Sequence, residues 1–131
     1  ACKVAGSKLI VVLGHSKCGA VKGACDHVEM GNLTELLSKI QPAVYEEKQT
    51  TVERSSKNSE FVENVAEINV KRSVKSIIER SYVLEQMLEN GQIGIVGAMH
   101  DIETGVVTFY DDVMYIKDDL NPAFTVAELR H

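Results

Sequence analysis

The sequence predicts an α/β domain, a mostly parallel β-sheet flanked by helices, and three observations carry that expectation. A short β-branched run, "KLIVVL" at residues 8–13, stops at Gly14 and leads into a helix-forming stretch. A second apolar run, residues 93–100, arrives only after several segments whose apolar residues recur at helical spacing. Strand, helices, strand in that order is the pattern of parallel strands joined through helical crossovers. With 131 residues the chain has room for a single domain with a real core, residues 1–131.

Each element has a local reason. Residues 8–13 are apolar at every position after Lys8, as expected of a strand buried on both faces. Residues 14–18 make a tight connection, and residues 19–28, rich in Ala and Val, form a helix that closes near Gly31. Asn32 or Thr34 is placed to cap a further helix over residues 33–48, where Leu33, Leu36, Leu37, Ile40 and Val44 recur at helical spacing. Pro42 should kink that helix or split it. Residues 49–59 are polar and read as a loop. A long helix follows, residues 60–81, with Phe61, Val65 and Ile68 on one side. Val70, Val74, Ile77 and Ile78 lie nearly opposite. A stripe that swings in this way needs two apolar surfaces, either a second subunit or two surfaces of the same chain.

The segment "SYVLEQMLENG" is a short helix ended by Gly91. "IGIVGAMHDIETGVVTFY" reads as two strands, residues 93–100 and 106–110, joined by a turn that uses Gly105. The last twenty residues give one clear signal, a break at Asn121-Pro122. The opening "ACKVAG" resembles the last turn of a helix closing at Gly6, so the expectation is a fragment of a longer chain.

Composition narrows the function. Fourteen Lys and Arg against nineteen Asp and Glu give a net charge of -5, with no basic block, which argues against a nucleic-acid surface. The longest uninterrupted apolar run, residues 9–13, falls far short of the roughly 20 residues of a membrane helix, so no membrane contact is expected of this segment. Three cysteines without a signal-peptide pattern fit reduced thiols or metal ligands in the cytoplasm better than a disulfide framework.

The chemistry concentrates at "GHSKCG", residues 14–19. Gly14 and Gly19 satisfy G-x-x-x-x-G, but Ala20 and Val21 stand where a phosphate loop needs Lys and Ser or Thr, which argues against nucleotide binding. His15 and Cys18 leave the C-terminal end of a strand, where open α/β sheets place their ligands. An imidazole with a soft thiolate suits zinc. The alternative is a packed cysteine beside a hydrogen-bonded histidine. Cys25 and His27 lie too far along the helix to share an ion with Cys18; seven residues of helix rise about 10 Å. Cys2 is expected at the other end of the strand, and His100 ends the second strand close to the site. The residues alone supply two credible ligands, His15 and Cys18, and no convincing third.

These residues are similar to a known family. "LIVVLGHSKCGAVKGACD" resembles the zinc-binding signature of β-class carbonic anhydrases, a strand followed by G-H-x-x-C-G. Residues 65–110 resemble that family's long helix, short helix and closing strands, including G-x-x-x-D-x-x-T-G-x-V from Gly97 to Val107. The resemblance covers about residues 1–112. It implies a β-carbonic anhydrase-like fold whose N-terminal strands are not in this chain, and one zinc per full-length subunit held by two cysteines and a histidine. His15 and Cys18 match two of those ligands.

The family's other cysteine belongs to a C-x-D-x-R motif whose Asp and Arg stand beside the metal; the 131 residues contain no such motif. The resemblance implies a full-length parent that converts carbon dioxide reversibly to bicarbonate and a proton, with zinc lowering the pKa of its water. It also implies close backbone packing near Gly19, and a homodimer or higher homo-oligomer. The polypeptide as given is expected to hold zinc weakly and to be inactive or nearly so, with no catalytic residue beyond the two ligands. Without flanking strands, "KLIVVL" should leave an apolar edge bare. The competing expectation is a non-catalytic relative serving as a dimerisation or regulatory module, including the cytoplasmic domain of an anion-transporter fusion.

Overall fold

A computed structural model describes residues 8–29 and 31–116. Its elements, in chain order, are β1 (Leu9–His15), α1 (Gly19–Cys25), α2 (Asn32–Ser38), α3 (Gln41–Glu46), α4 (Ser59–Arg80), α5 (Tyr82–Glu89), β2 (Gly94–His100) and β3 (Val107–Tyr115). The opening turn at Gly6, Cys2 and the break at Asn121-Pro122 lie outside the described residues.

β1 and β2 pair in parallel from Leu9 opposite Gly94 to His15 opposite His100, so the two strands end together. The four helices from α1 to α4 and then α5 make the crossover between them. β3 returns antiparallel to β2 through a short turn, giving a mixed sheet of order β1-β2-β3. The expected parallel pairing holds for the strands that carry the site, and the third strand is the exception.

β3 also runs further than residues 106–110. The polar pair Asp111-Asp112 masks it in sequence. Those residues fall in an irregularity where residues 110–113 stand opposite Gly97 alone, and Val113 then turns back into the core.

Local chemistry sets the helix limits. α1 ends at Cys25, earlier than residue 28, because His27 takes a left-handed φ of 54°. Asp26 there accepts from the Ser56 N–H at 2.7 Å and hydroxyl at 2.5 Å, tying α1 to the 49–58 loop. Pro42 sits in the first turn of α3 and splits the expected single helix in two. Gly31, with φ 49°, precedes α2; neither Asn32 nor Thr34 caps it. Of the expected stripe, Leu37 and Val44 are buried. Leu33 and Leu36 stay 46% and 51% exposed along an apolar groove beside Gly19, Ala20 and Gly23. Asn58 caps α4, its side chain accepting from the Phe61 N–H, and Ser81 caps α5 through the Leu84 N–H.

The swinging stripe on α4 is satisfied within one chain. Phe61, Val62, Val65 and Ala66 pack with Val21, Ala24, Ala43 and Val44 of α1 and α3. Val74, Ile77 and Ile78 pack with Ile95 of β2 and Val113 of β3. Full burial of each large apolar side chain contributes about 1.5–3 kcal/mol. The helix lies close to the sheet because Gly14 and Gly97 carry no side chain beneath Val70 and Val74. The other face of β1 is more open: Leu9, Val11 and Leu13 are 37%, 43% and 53% exposed. β1 is the sheet edge among the described residues, in place of a strand covered on both faces.

Among the described residues one charged residue is buried, Glu47 at 3% exposure. Burial raises the pKa of its carboxyl, but hydrogen bonds outweigh that and hold it below the usual value of 4.5. The donors are the Thr50 hydroxyl at 2.5 Å, the Thr50 N–H at 3.0 Å and the Asn64 amide at 3.3 Å. Arg54 lies 3.5 Å away, donates to the Val44 carbonyl and stacks over the Phe61 ring at 4.6 Å. A depressed carboxylate stabilises the fold above its unfolded pKa, and that stability is lost as pH falls through the lower, folded value. Glu47→Gln should therefore cost about 2 kcal/mol at pH 7 and flatten the acid loss of stability below pH 4.5. Thermal melts from pH 7 to pH 3 test this; parallel curves for the two proteins would contradict it.

Candidate metal centre

The site forms where β1 and β2 end side by side. His15 closes β1 and is exposed; Ser16 and Lys17 turn the chain, and Cys18 takes the position before the first residue of α1. Lys17 holds a left-handed φ of 56°, a conformation uncommon outside glycine. That single residue lets the chain reverse from strand to helix within two positions. The Cys18 carbonyl accepts from the Lys22 N–H at 3.0 Å, opening the helix. The Cys18 side chain is half-buried against the helical core.

A second segment holds this turn in place. Between β2 and β3, the Asp101 carboxylate accepts from the N–H groups of Glu103 at 2.9 Å and Thr104 at 3.3 Å, and its carbonyl accepts from Gly105 at 2.7 Å. Gly105 has φ 77°, which suits glycine alone. The Thr104 hydroxyl accepts from the Val106 N–H. These contacts explain the D-x-x-T-G spacing as a turn built to fixed geometry. The turn reaches the His15 loop through Ile102, whose N–H donates to the Ser16 hydroxyl at 3.0 Å, and through an ion pair of Lys17 with Glu103.

The remaining candidates divide. His100 lies opposite His15 in the parallel register and is half-buried, so the two imidazoles stand at the same end of the sheet. Cys25 is buried in the core, and burial, with Asp26 beside it, pushes its thiol up to about 11. It lies at the far end of α1 from Cys18, away from the turn that carries His15. His27 is exposed and faces the Tyr45 ring, 6.3 Å between centroids. A Cβ placed on Gly19 would meet nothing within 4 Å among the described residues.

His15 and Cys18 offer the donor types that zinc prefers, an imidazole and a thiol. Among the described residues no group of three or more His, Cys, Asp and Glu is gathered to hold a metal ion. Zinc sites take three or four protein ligands, so these residues alone do not complete one. Sequence reasoning missed Ser16, and it held Asp101 only as the D of the Gly97–Val107 pattern, without a role. That role could have been found from an Asx turn ahead of Gly105. Ser16 could not, because its partner is 86 residues away.

Comparison with known proteins supplies the family. The carbonic anhydrase family model matches residues 1–107. Carbonic anhydrase 2 of Mycobacterium tuberculosis is 25% identical over 117 residues, covering 86% of this chain and 53% of that protein. A carbonic anhydrase of Emericella nidulans is 29% identical over 100 residues, covering 76% of this chain and 43% of its own length. The chain thus spans about half the length of the curated relatives it matches.

Among solved structures, the β-carbonic anhydrase CafA of Aspergillus fumigatus superposes with a TM-score of 0.68 at 25% identity, covering 100% of this chain and 60% of that one. The Coccomyxa β-carbonic anhydrase solved with acetazolamide gives 0.70 at 21% identity, covering 82% and 49%, a likeness of fold. No helix among the described residues is long and apolar enough to cross a membrane. Family match, fold and the strand-turn-helix carrying His15 and Cys18 agree: the chain belongs to the β-carbonic anhydrase family.

Proposed function

We propose that this chain carries two ligands, His15 and Cys18, of the zinc site of a carbonic anhydrase that interconverts carbon dioxide and bicarbonate. The observation that carries the reading is the shared end of β1 and β2. It delivers an imidazole and a thiol from one turn, clamped by the D-x-x-T-G turn, in a chain matched by the family over residues 1–107. Zinc, when bound, acts as a Lewis acid that makes water nucleophilic near neutral pH. The third protein ligand comes from outside the described residues, and the 131-residue chain by itself is inactive or nearly so. The whole protein is cytoplasmic and a homodimer or higher homo-oligomer; tetrameric β-carbonic anhydrases are known from Sordaria macrospora.

The second reading, a non-catalytic dimerisation or regulatory module, is favoured by the lack of a third donor among the described residues. Zinc content and carbon dioxide hydration, measured for this chain and for the whole protein, separate the two. The proposal expects about one zinc per subunit and rapid hydration in the whole protein, with little of either in the chain alone. A whole protein free of zinc favours the module. Rapid hydration by the 131-residue chain would overturn the claim that its ligand set is incomplete.

A further inference from the structure

Ser16 stands between the two proposed ligands and meets three partners. Its N–H donates to the His100 carbonyl at 2.9 Å. Its hydroxyl accepts from the Ile102 N–H at 3.0 Å. Its carbonyl lies 3.1 Å from Nδ1 of His15. A carbonyl oxygen only accepts, so Nδ1 must carry the proton in that contact, which leaves Nε2 with a free lone pair. Ligating histidines are oriented in this way, one ring nitrogen held by a hydrogen bond and the other turned to the metal.

We propose that Ser16 is a positioning residue. By fastening the His15 turn to the β2–β3 connection, it fixes its own carbonyl against Nδ1 and presents Nε2 of His15 for coordination. The inference rests on the proposed ligand role of His15. Ser16 is held at its own N–H, in the peptide before it, at its hydroxyl and, one residue on, by the Lys17–Glu103 pair. These contacts on both sides restrain the rotation of its carbonyl. Losing the hydroxyl leaves the Ile102 N–H without its acceptor and frees the carbonyl to turn. An unconstrained neutral imidazole carries its proton mainly on Nε2, so the ring of His15 then reverts to the form that cannot coordinate through Nε2.

The test is the His15 tautomer, read by long-range 1H–15N NMR on the metal-free chain at a pH where imidazole is neutral. The wild-type chain should show His15 protonated on Nδ1. Ser16→Ala should shift His15 to protonation on Nε2, and Ser16→Thr, which keeps a hydroxyl acceptor, should restore Nδ1. His27 and His100 should keep their tautomers in both variants. Protonation on Nε2 in the wild-type chain would overturn the proposal whether or not Ser16→Ala folds. So would an unchanged His15 in Ser16→Ala, or a shift shared by His15, His27 and His100, which marks general loosening. Because no metal is present, the tautomer can hold while the zinc measurements fail, and the two readings stay separable.

Discussion

Gly97→Ala is expected to lower the stability of the chain by about 2–3 kcal/mol, the cost of overpacking a tightly filled core. A Cβ at that position would stand 2.9 Å from Cγ2 of Val113, 3.0 Å from Cγ1 of Val70 and 3.3 Å from Cγ2 of Val74. All three neighbours are valines, which have one stiff torsion and no distant end to swing away. The methyl can be housed only if α4 lifts from the sheet or β3 shifts beside its irregularity.

Either movement disturbs packing that joins both core clusters, since Val70 belongs to one and Val74 and Val113 to the other. Thermal unfolding should show a midpoint lower by about 10 °C for a chain of this size. Gly19→Ala is the control, because nothing lies within 4 Å of its Cβ and the position opens a helix. If the two variants melt alike, the close approach of α4 to the sheet is not what Gly97 provides.

In the whole protein, His15→Ala and Cys18→Ser should each remove zinc and abolish hydration. Removing only a hydrogen-bond partner of a metal ligand typically costs 10–100-fold in affinity, and removing the ligand itself should exceed about 100-fold. Cys25→Ser tests the assignment from the other side. Cys25 is buried at the end of α1 with its thiol pushed up to about 11, so its replacement should leave zinc and activity in place even if it costs stability. Metal content after dialysis and stopped-flow hydration, measured on the three variants, decide the matter. Retention of zinc by Cys18→Ser, or its loss from Cys25→Ser alone, would reverse the ligand assignment.

What could be read in the sequence was what local chemistry determines. The run at residues 8–13 and the Pro42 split are written in neighbouring residues, and they placed His15 and Cys18 on one strand-to-helix turn, although β1 runs through the expected break at Gly14 to His15. The stripe on α4 was visible, but its two partner surfaces depend on how α1, α3 and the sheet assemble. Leu33 and Leu36 shared the periodicity of buried residues and still lie exposed, because the short α2 presents them to a groove and away from the core. The length of β3 was hidden by Asp111 and Asp112, and the Ser16 link by its 86-residue separation. Family resemblance named the metal. The geometry of the turn shows how the two proposed ligands are held.

The most direct test is anomalous X-ray scattering at the zinc edge from crystals of the zinc-loaded whole protein. The account predicts a peak about 2.0–2.1 Å from Nε2 of His15 and about 2.3 Å from Sγ of Cys18. A zinc peak that neither side chain reaches, or one bound through Nδ1 of His15, would contradict it.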